Sequence, residues 1–172
     1  MVTNTPTPNL DDYEDSPWLD TTSLLPDPKS TPLEEYLCQM AIFTVHMHND
    51  LRPSEILQLA PLFCSSDFRV EAGAPEDYMT ATSRSEYFSK VELFRAKNPH
   101  YRARATNVTV HLDDERRKAV LIGTMDTWGL MGADDTLVRT RVYVGHWRRL
   151  RDGRWHVWKL EILQGPGCEV TS

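Results

Sequence analysis

Residues 145–155, GHWRRLRDGRW, contain the turn from which the fold of this chain can be predicted. Asp152 and Gly153 are residues that a two-residue β-hairpin turn prefers, because both of its central positions need a positive φ. Apolar and polar residues alternate on either side, over residues 137–150 and 155–163. The pattern predicts two long antiparallel strands joined by a tight primed turn.

Two further strands are predicted before this hairpin. Apolar residues recur with a period of two between residues 101 and 112, as expected of a half-buried strand. A charged turn at 113–116 then leads into a largely apolar segment at 119–128. With the hairpin, these segments predict a four-stranded antiparallel meander.

Helices are predicted upstream of the strands. Residues 31–34 (TPLE) and 83–86 (SRSE) are capping boxes, and Pro53 opens an apolar segment between them. These signals predict helices from 31 to about 50, from 53 to 63 and from 83 to 98, with a short strand at 68–71. The order predicts an α+β cone, in which a curved four-stranded antiparallel sheet plus the short strand wraps around three helices. Such a sheet encloses a blind pocket suited to small molecules.

Length and charge narrow the class of protein. The 172 residues suit one domain, and 25 acidic against 19 basic residues give a net charge of −6, which argues against nucleic acid as a partner. Cys38, Cys64 and Cys168 are too scattered for a disulfide framework, so we expect the protein to be located in the reducing cytoplasm. No apolar stretch is long enough to span a membrane.

The predicted domain covers residues 32–165, between an arm at 1–31 and a short tail at 166–172. The arm holds six acidic residues against one lysine, a charge of 1 − 6 = −5, and five of the eleven prolines. Such a segment buries too little apolar surface to offset its ordering entropy, so we expect it to be extended. Alternatively, the apolar residues of the arm pack on the domain or on a partner subunit: Trp18, Leu19, Leu24 and Leu25.

The order of elements, with residues 60–71 (APLFCSSDFRVE) and 145–155, resembles the nuclear transport factor 2-like superfamily and most nearly its SnoaL-like branch. The resemblance covers roughly residues 33–164. It implies a cofactor-free isomerase, cyclase or dehydratase that acts on a small apolar ring compound, polyketide- or terpenoid-derived, of the kind made by fungal secondary-metabolite clusters. The alternative is a non-catalytic ligand-binding or dimeric assembly module of the same fold.

Acid–base chemistry in such a pocket needs a carboxylate or histidine with a shifted pKa. Asp126 interrupts an apolar strand, so it faces either the cavity as a base or the solvent. Resemblance to epoxide hydrolases implies the first orientation, whereas resemblance to scytalone dehydratase turns Met125 and Thr127 inward. The dehydratase resemblance also puts Asp50 at the position of a pocket aspartate.

Other candidates come from the helices and the short strand. Glu71 and Arg69 share one face of that strand and form either a cavity-mouth pair or an ordinary surface pair. His48 lies on the apolar face of the first helix, as a core residue or as a ligand contact. His46 and His48 place their rings about 200° apart, and no metal-ligand spacing occurs, so neither a metal nor another cofactor is predicted.

Resemblance of the closing hairpin implies which side chains point inward: Val142, Val144, His146, His156, Trp158, Leu160 and Ile162. His146 and His156 would then lie nearly opposite each other and share a proton or a ligand, or sit at the solvent-exposed rim. The outward face would carry Arg139, Arg141, Tyr143, Trp147, Arg149, Trp155 and Val157. Its three large aromatic residues predict a homodimer formed through the outer face of the sheet.

The predicted site combines these residues around a small hydrophobic cyclic metabolite. The predicted catalytic residues are Asp126, Glu71, His146, His156 and Asp50. The predicted substrate-binding residues are His48, Arg69, Phe43, Met47, Phe94, Trp158 and Leu160.

Overall fold

The computed structural model describes residues 25–73, 76–130, 132 and 137–164. Helices α1 and α2 precede a strand, a third helix follows, and four strands complete the chain. The bounds are α1 Leu33–Asp50, α2 Pro53–Phe63, β1 Cys64–Ala72, α3 Arg84–Lys97, β2 Arg102–Leu112, β3 Lys118–Trp128, β4 Arg139–Arg149 and β5 Trp155–Gln164, with a 3-10 turn at Asp77–Met79 between β1 and α3. The predicted α+β class is confirmed.

Of the two predicted capping boxes, the one at α3 is present and the one at α1 is not. At α3 the Ser83 hydroxyl accepts a hydrogen bond from the Glu86 amide at 3.1 Å, as the capping box predicts. At α1 the residue that precedes the helix is Pro32, and no side chain caps the helix. The capping role predicted for Thr31 is therefore wrong, and the proline at the helix entrance is the effective start signal.

The sheet has the order β1-β5-β4-β3-β2, and only the β1–β5 pair is parallel. The chain reaches β1 from α2 without a loop, so β1 is longer than the predicted strand at 68–71. The predicted two-residue turn is wrong: the Leu150 amide bonds to the Arg154 carbonyl at 2.7 Å, and of the turn residues only Gly153 has a positive φ, +89°. A longer turn with one left-handed glycine closes the hairpin.

The faces of β4 are the reverse of those predicted. Arg141, Tyr143 and Trp147 are buried on the concave side, whereas Val142, Val144 and His146 share the opposite face. Opposite them, β5 contains a bulge at Trp158, because Val157 pairs with Trp147 but Lys159 pairs with His146. One extra residue exchanges the inward and outward positions along a strand. Leu160 and Ile162 do point inward, as predicted, but His156 and Trp158 do not line the cavity.

The core fills the space between the concave face and the helices. Its largest fully buried side chains include Leu37, Met40, Phe63 and Leu121. Leu25 also packs against this core. The rest of the predicted arm up to residue 24, and residues 165–172, lie outside the described residues. Within the described part of the chain, no helix is both long and apolar enough to cross a membrane.

Tyr143 needs a glycine opposite it on β3. A Cβ atom at Gly123 would lie 2.6 Å from Tyr143 Oη and 2.7 Å from Cζ. Gly123→Ala should therefore lower the free energy of unfolding by about 1–3 kcal/mol, the usual cost of overpacking. Urea denaturation measures this loss. Gly73→Ala is the control, because its Cβ would meet only the Ile162 carbonyl oxygen at 3.8 Å; equal losses in the two variants would contradict the packing argument.

Candidate functional site

A cavity of about 190 Å³ lies between the concave face of the sheet and the three helices. At one end, side chains from Phe63, Trp147 and Val157 form a buried apolar wall. At the other end, where β3 leads into β4, the lining residues Tyr78, Phe94 and Leu130 remain partly or fully exposed. The cavity therefore has a closed apolar end and an open end.

Three aromatic rings stack side by side at the open end. The Tyr78 and Phe94 rings are nearly parallel with centroids 5.9 Å apart, and the Tyr101 ring meets Phe94 edge-on at 4.9 Å. These geometries are the favourable ones for aromatic pairs. Because Tyr78 follows β1, Phe94 lies on α3 and Tyr101 immediately precedes β2, the stack connects three parts of the fold and gives the entrance a fixed apolar surface.

A buried ion pair lies beside this stack. Arg141 Nε and Nη2 lie 2.7 and 2.6 Å from Glu76 Oε1, and only 3% of Arg141 is exposed. Charge-assisted hydrogen bonds are needed here, because a guanidinium removed from water without a partner is costly. The pair also joins the 3-10 turn region to the centre of the sheet.

His48 is the titratable residue of α1 that lines the cavity. Its Nδ1 atom is buried and, among the described residues, has no hydrogen-bond partner. Burial, helped by the nearby Arg95 guanidinium, lowers the pKa of His48 to about 4. The imidazole is therefore neutral at pH 7, and one of its nitrogens carries a lone pair.

The hydroxyl and thiol groups of the lining are fully protonated at neutral pH. Burial raises the pKa values of Tyr87 and Tyr101, and raises those of Tyr143 and Cys64 to about 12. The tyrosines are thus hydrogen-bond donors, and the Cys64 thiol is a poor nucleophile. Tyr143 Oη has no partner among the described residues, although it is buried.

Four of the predicted site residues line the cavity: Met47, His48, Phe94 and Leu160. Asp126 does not, because its neighbours Met125 and Thr127 occupy the inward positions of β3. Its carboxylate accepts hydrogen bonds from Thr140 at 2.8 Å and from Arg104 at 3.1 Å, and these bonds lower its pKa. The expectation that Asp126 faces the cavity is therefore wrong.

Glu71 and His146 also lie on the outer face. Lys159 Nζ is 2.9 Å from a Glu71 oxygen and 3.1 Å from Glu161, and His146 Nε2 is 2.7 Å from that same Glu161 oxygen. We call these four residues the outer ionic cluster. Glu71, the penultimate residue of β1, has its side chain outward because Val70, beside it, occupies the buried position.

The remaining predicted residues are dispersed. Asp50 is exposed at the end of α1, and the Phe43 ring packs edge-on against Phe63 without lining the cavity. Arg69 lies over the Trp158 ring at 5.2 Å, away from the cavity. His156 pairs with Arg148 rather than with His146, so the predicted pair of facing histidines is wrong.

The charged residues of the cavity were missed at the sequence level. Glu76, Arg95, Arg139 and Arg141 all line it. A signal for β4 does exist, since Gly145 lies between Tyr143 and Trp147 and a Cβ there would be 2.9 Å from Trp147 Nε1. Glycines beside large aromatic residues indicate close packing, which marks the inward face. In the described ranges, no group of three or more metal-binding side chains converges.

Comparison with known proteins identifies the fold and nothing finer. No protein-family model matches the chain, and no curated protein sequence matches it. Among solved structures, it is similar to a protein from Novosphingobium aromaticivorans assigned as a scytalone dehydratase, with a TM-score of 0.55 at 18% identity over 73% of this chain and 83% of that one. A protein from Parabacteroides distasonis assigned as a ketosteroid isomerase gives 0.56 at 11% identity, covering 83% and 95%.

A third similar structure belongs to a different class. It is assigned as a calcium/calmodulin-dependent protein kinase II association domain from Xanthomonas campestris, with a TM-score of 0.56 at 18% identity over 81% of this chain and 92% of that one. The shared fold is the α+β cone that the sequence analysis predicted. Proteins assigned as enzymes and as an association domain share it, so the fold alone does not define the function.

The low pKa of His48 predicts a pH dependence of stability. In the unfolded chain this histidine titrates near 6.5, so between pH 6.5 and 4 the unfolded state binds more protons than the folded state. The contribution of neutral His48 to the free energy of unfolding is complete above pH 6.5, and it decreases by about 3 kcal/mol as the pH falls to 4. Urea denaturation at pH 7.5 and 4.5 should show a smaller loss in His48→Gln than in wild type. An exposed-site control, His111→Gln, should keep the wild-type difference; the same loss in all three proteins would contradict the assignment.

Proposed function

We propose that the chain is a cofactor-independent enzyme of the isomerase, cyclase or dehydratase type, which moves a proton on a small, largely apolar ring compound held in the cavity. The observation that carries this proposal is His48, a neutral imidazole in an otherwise largely apolar cavity wall, with a buried Nδ1 that has no partner among the described residues. A buried polar atom without a partner costs about 1–3 kcal/mol, so a bound ligand that pairs with it recovers that energy.

In this proposal His48 is the base. A neutral imidazole takes a proton from a carbon or hydroxyl group without first having to lose one of its own. The negative charge that develops on the substrate beside it offsets the burial and the Arg95 charge that lower the pKa of His48. Tyr101, with its raised pKa, stays protonated and donates a hydrogen bond to the developing oxyanion. The Phe94 and Tyr78 rings orient the substrate ring by stacking.

The carboxylates favoured by the sequence do not take part. Asp126 and Glu71 pair with cations on the outer face, and Asp50 is exposed. This observation favours the alternative, a ligand-binding module of the same fold. The two functions differ in one respect that can be measured: only the enzyme accelerates proton transfer on a bound compound.

The test uses 2-tetralone, a compact bicyclic ketone, as the probe. Exchange of its α-protons in D₂O at pD 7.5 is followed by NMR, with the protein and with buffer alone. We expect the wild-type protein to accelerate exchange and His48→Gln to lose a factor on the order of 10² or more, the usual contribution of a general base. His111→Gln, exposed and outside the cavity, should exchange at the wild-type rate.

The outcomes separate the alternatives. Binding of 2-tetralone without accelerated exchange contradicts the enzyme on this class of ketone and supports the binding module. Accelerated exchange that persists in His48→Gln assigns the base to another residue. A urea midpoint of His48→Gln close to that of wild type establishes that any loss of exchange is not a loss of fold.

We also propose a homodimer formed through the outer face of the sheet. The aromatic residues that suggested it in the sequence are buried, so the support now comes from other residues. Ile122 and Leu163 are 39% and 44% exposed, and they flank Val142 and Val144 on the same face. These four residues form the outer apolar patch, and an exposed patch of this kind commonly marks an interface. The association domain among the similar structures adds support.

Sedimentation at micromolar concentration tests this homodimer. We expect a mass of about twice 19.8 kDa for the wild-type chain. Val144→Glu places a charge in the centre of the outer apolar patch and should give a monomer, because burying an unpaired carboxylate is costly. The control Leu93→Glu changes an exposed leucine of α3 and should remain dimeric. A wild-type mass near 20 kDa would exclude the homodimer.

Location in the cytoplasm remains part of the proposal. Cys38 and Cys64 are both free thiols, and Cys64 is buried in the core. Unpaired cysteines are usual in a reducing compartment. Labelling of thiols in the protein isolated from its cells, before and after reduction, tests this expectation.

A further inference from the structure

The cavity is strongly polarised along its length. The residues at its closed end, including Phe63, Phe68 and Val157, are apolar and buried. The charged lining residues of the described chain all lie toward the open end, where β3 leads into β4 and α1 and α3 end: Glu76, Arg95, Arg139 and Arg141. A ligand that fills this cavity therefore meets an apolar surface at one end and guanidinium groups at the other.

Among the residues that the structure describes, the cations at this end outnumber the anions that pair with them. Glu76 bonds to Arg141. Neither Arg95 nor Arg139 forms an ion pair with a carboxylate anywhere in the described ranges. Arg95 Nη1 donates to the Leu51 carbonyl at 2.8 Å, which holds the side chain in place but brings no countercharge. Burial and the neighbouring Arg102 lower the pKa of Arg95, as expected where positive charges gather.

The positive end acts on His48 as well. Arg95 contributes to the lowered pKa of this histidine, so its guanidinium lies near enough for electrostatic interaction with the imidazole. An anionic group at the open end would offset the charge of these arginines. Guanidinium groups bind carboxylates especially well, since their parallel N–H groups match two oxygens, and the bonds strengthen where water is partly excluded.

The size of the cavity limits what can carry that anionic group. A cavity of about 150 Å³ holds benzene, and this one has about 190 Å³ with an opening to the outside. It therefore suits a ring system of one or two rings. The ring would occupy the apolar end, and its polar substituent would lie among the arginines.

We propose that the natural ligand is a compact ring compound that bears a carboxylate, and that Arg139 determines this specificity at the open end of the cavity. This inference rests on the proposed function, because it names the substrate class of the same cavity. Arg139 is the suitable residue to test, since it lies at the start of β4, is only half-buried and supports no other described side chain.

The experiment compares two probes of the same ring and similar size, 2-naphthoate and 2-naphthalenemethanol, by calorimetry at pH 7.5. We expect the wild-type protein to bind the carboxylate at least tenfold more tightly than the alcohol. Arg139→Gln should weaken naphthoate binding about tenfold or more, as expected for the loss of a charge-assisted hydrogen bond, and should change alcohol binding less than twofold. Arg139→Lys keeps the positive charge but loses the two parallel N–H groups of the guanidinium, so this variant should bind naphthoate with intermediate affinity.

The control is Arg104→Gln, which removes an arginine from the outer face of the sheet, where it pairs with Asp126. It should bind both probes as wild type does. Equal affinity of the wild-type protein for both probes, or a loss of naphthoate binding in Arg104→Gln as large as that in Arg139→Gln, would overturn the inference and leave the proposed function intact. Failure of both probes to bind would instead count against the cavity as a ligand site.

Discussion

The inward orientation of one face of β4 is the constraint on which the rest of the structure depends. That face places Arg141, Tyr143 and Trp147 in the core, where each needs a specific accommodation. Gly123 leaves room for the Tyr143 ring, Gly145 leaves room for the Trp147 indole, and Glu76 neutralises the guanidinium. Because cores are packed densely, the two glycines, Glu76 and the bulge in β5 all accompany the inward orientation of this face of β4.

The orientation of the sheet also separates the ionisable groups on its outer face from those inside the cavity. Asp126 and Glu71, two of the acids that the sequence pattern favoured, lie on the outer face with cations close by, and hydrogen bonds hold the pKa of Asp126 below its usual range. These carboxylates lie outside the cavity, so they cannot accept a proton from a ligand bound there. The groups left inside are arginines, tyrosines and His48, so the chemistry open to the cavity is that of a neutral imidazole among hydrogen-bond donors.

Part of the fold and of the cavity lining could be predicted from the sequence, and part could not. The capping box at α3, the proline at α1 and the alternation in β2 to β5 are local signals, so the element order and the cone were predictable. His48 and Phe94 were also found, because helical periodicity states which face is buried. The inward face of β4 could not be predicted, because its odd and even positions both carry residues that suit a core. The resemblance at the hairpin also could not indicate the bulge in β5, which exchanges the inward and outward positions.

The amino-acid sequence by itself determined the fold class, the boundaries of most elements and the apolar faces of the helices, since each depends on contacts between residues near in the chain. The tertiary structure decided which acids became surface partners and which cations entered the cavity. The pairing of Arg141 with Glu76, 65 residues away, and of Asp126 with Arg104 arises only when distant strands and turns meet. A side chain that alternates between two faces acquires its environment, and hence its pKa, from the register of the sheet.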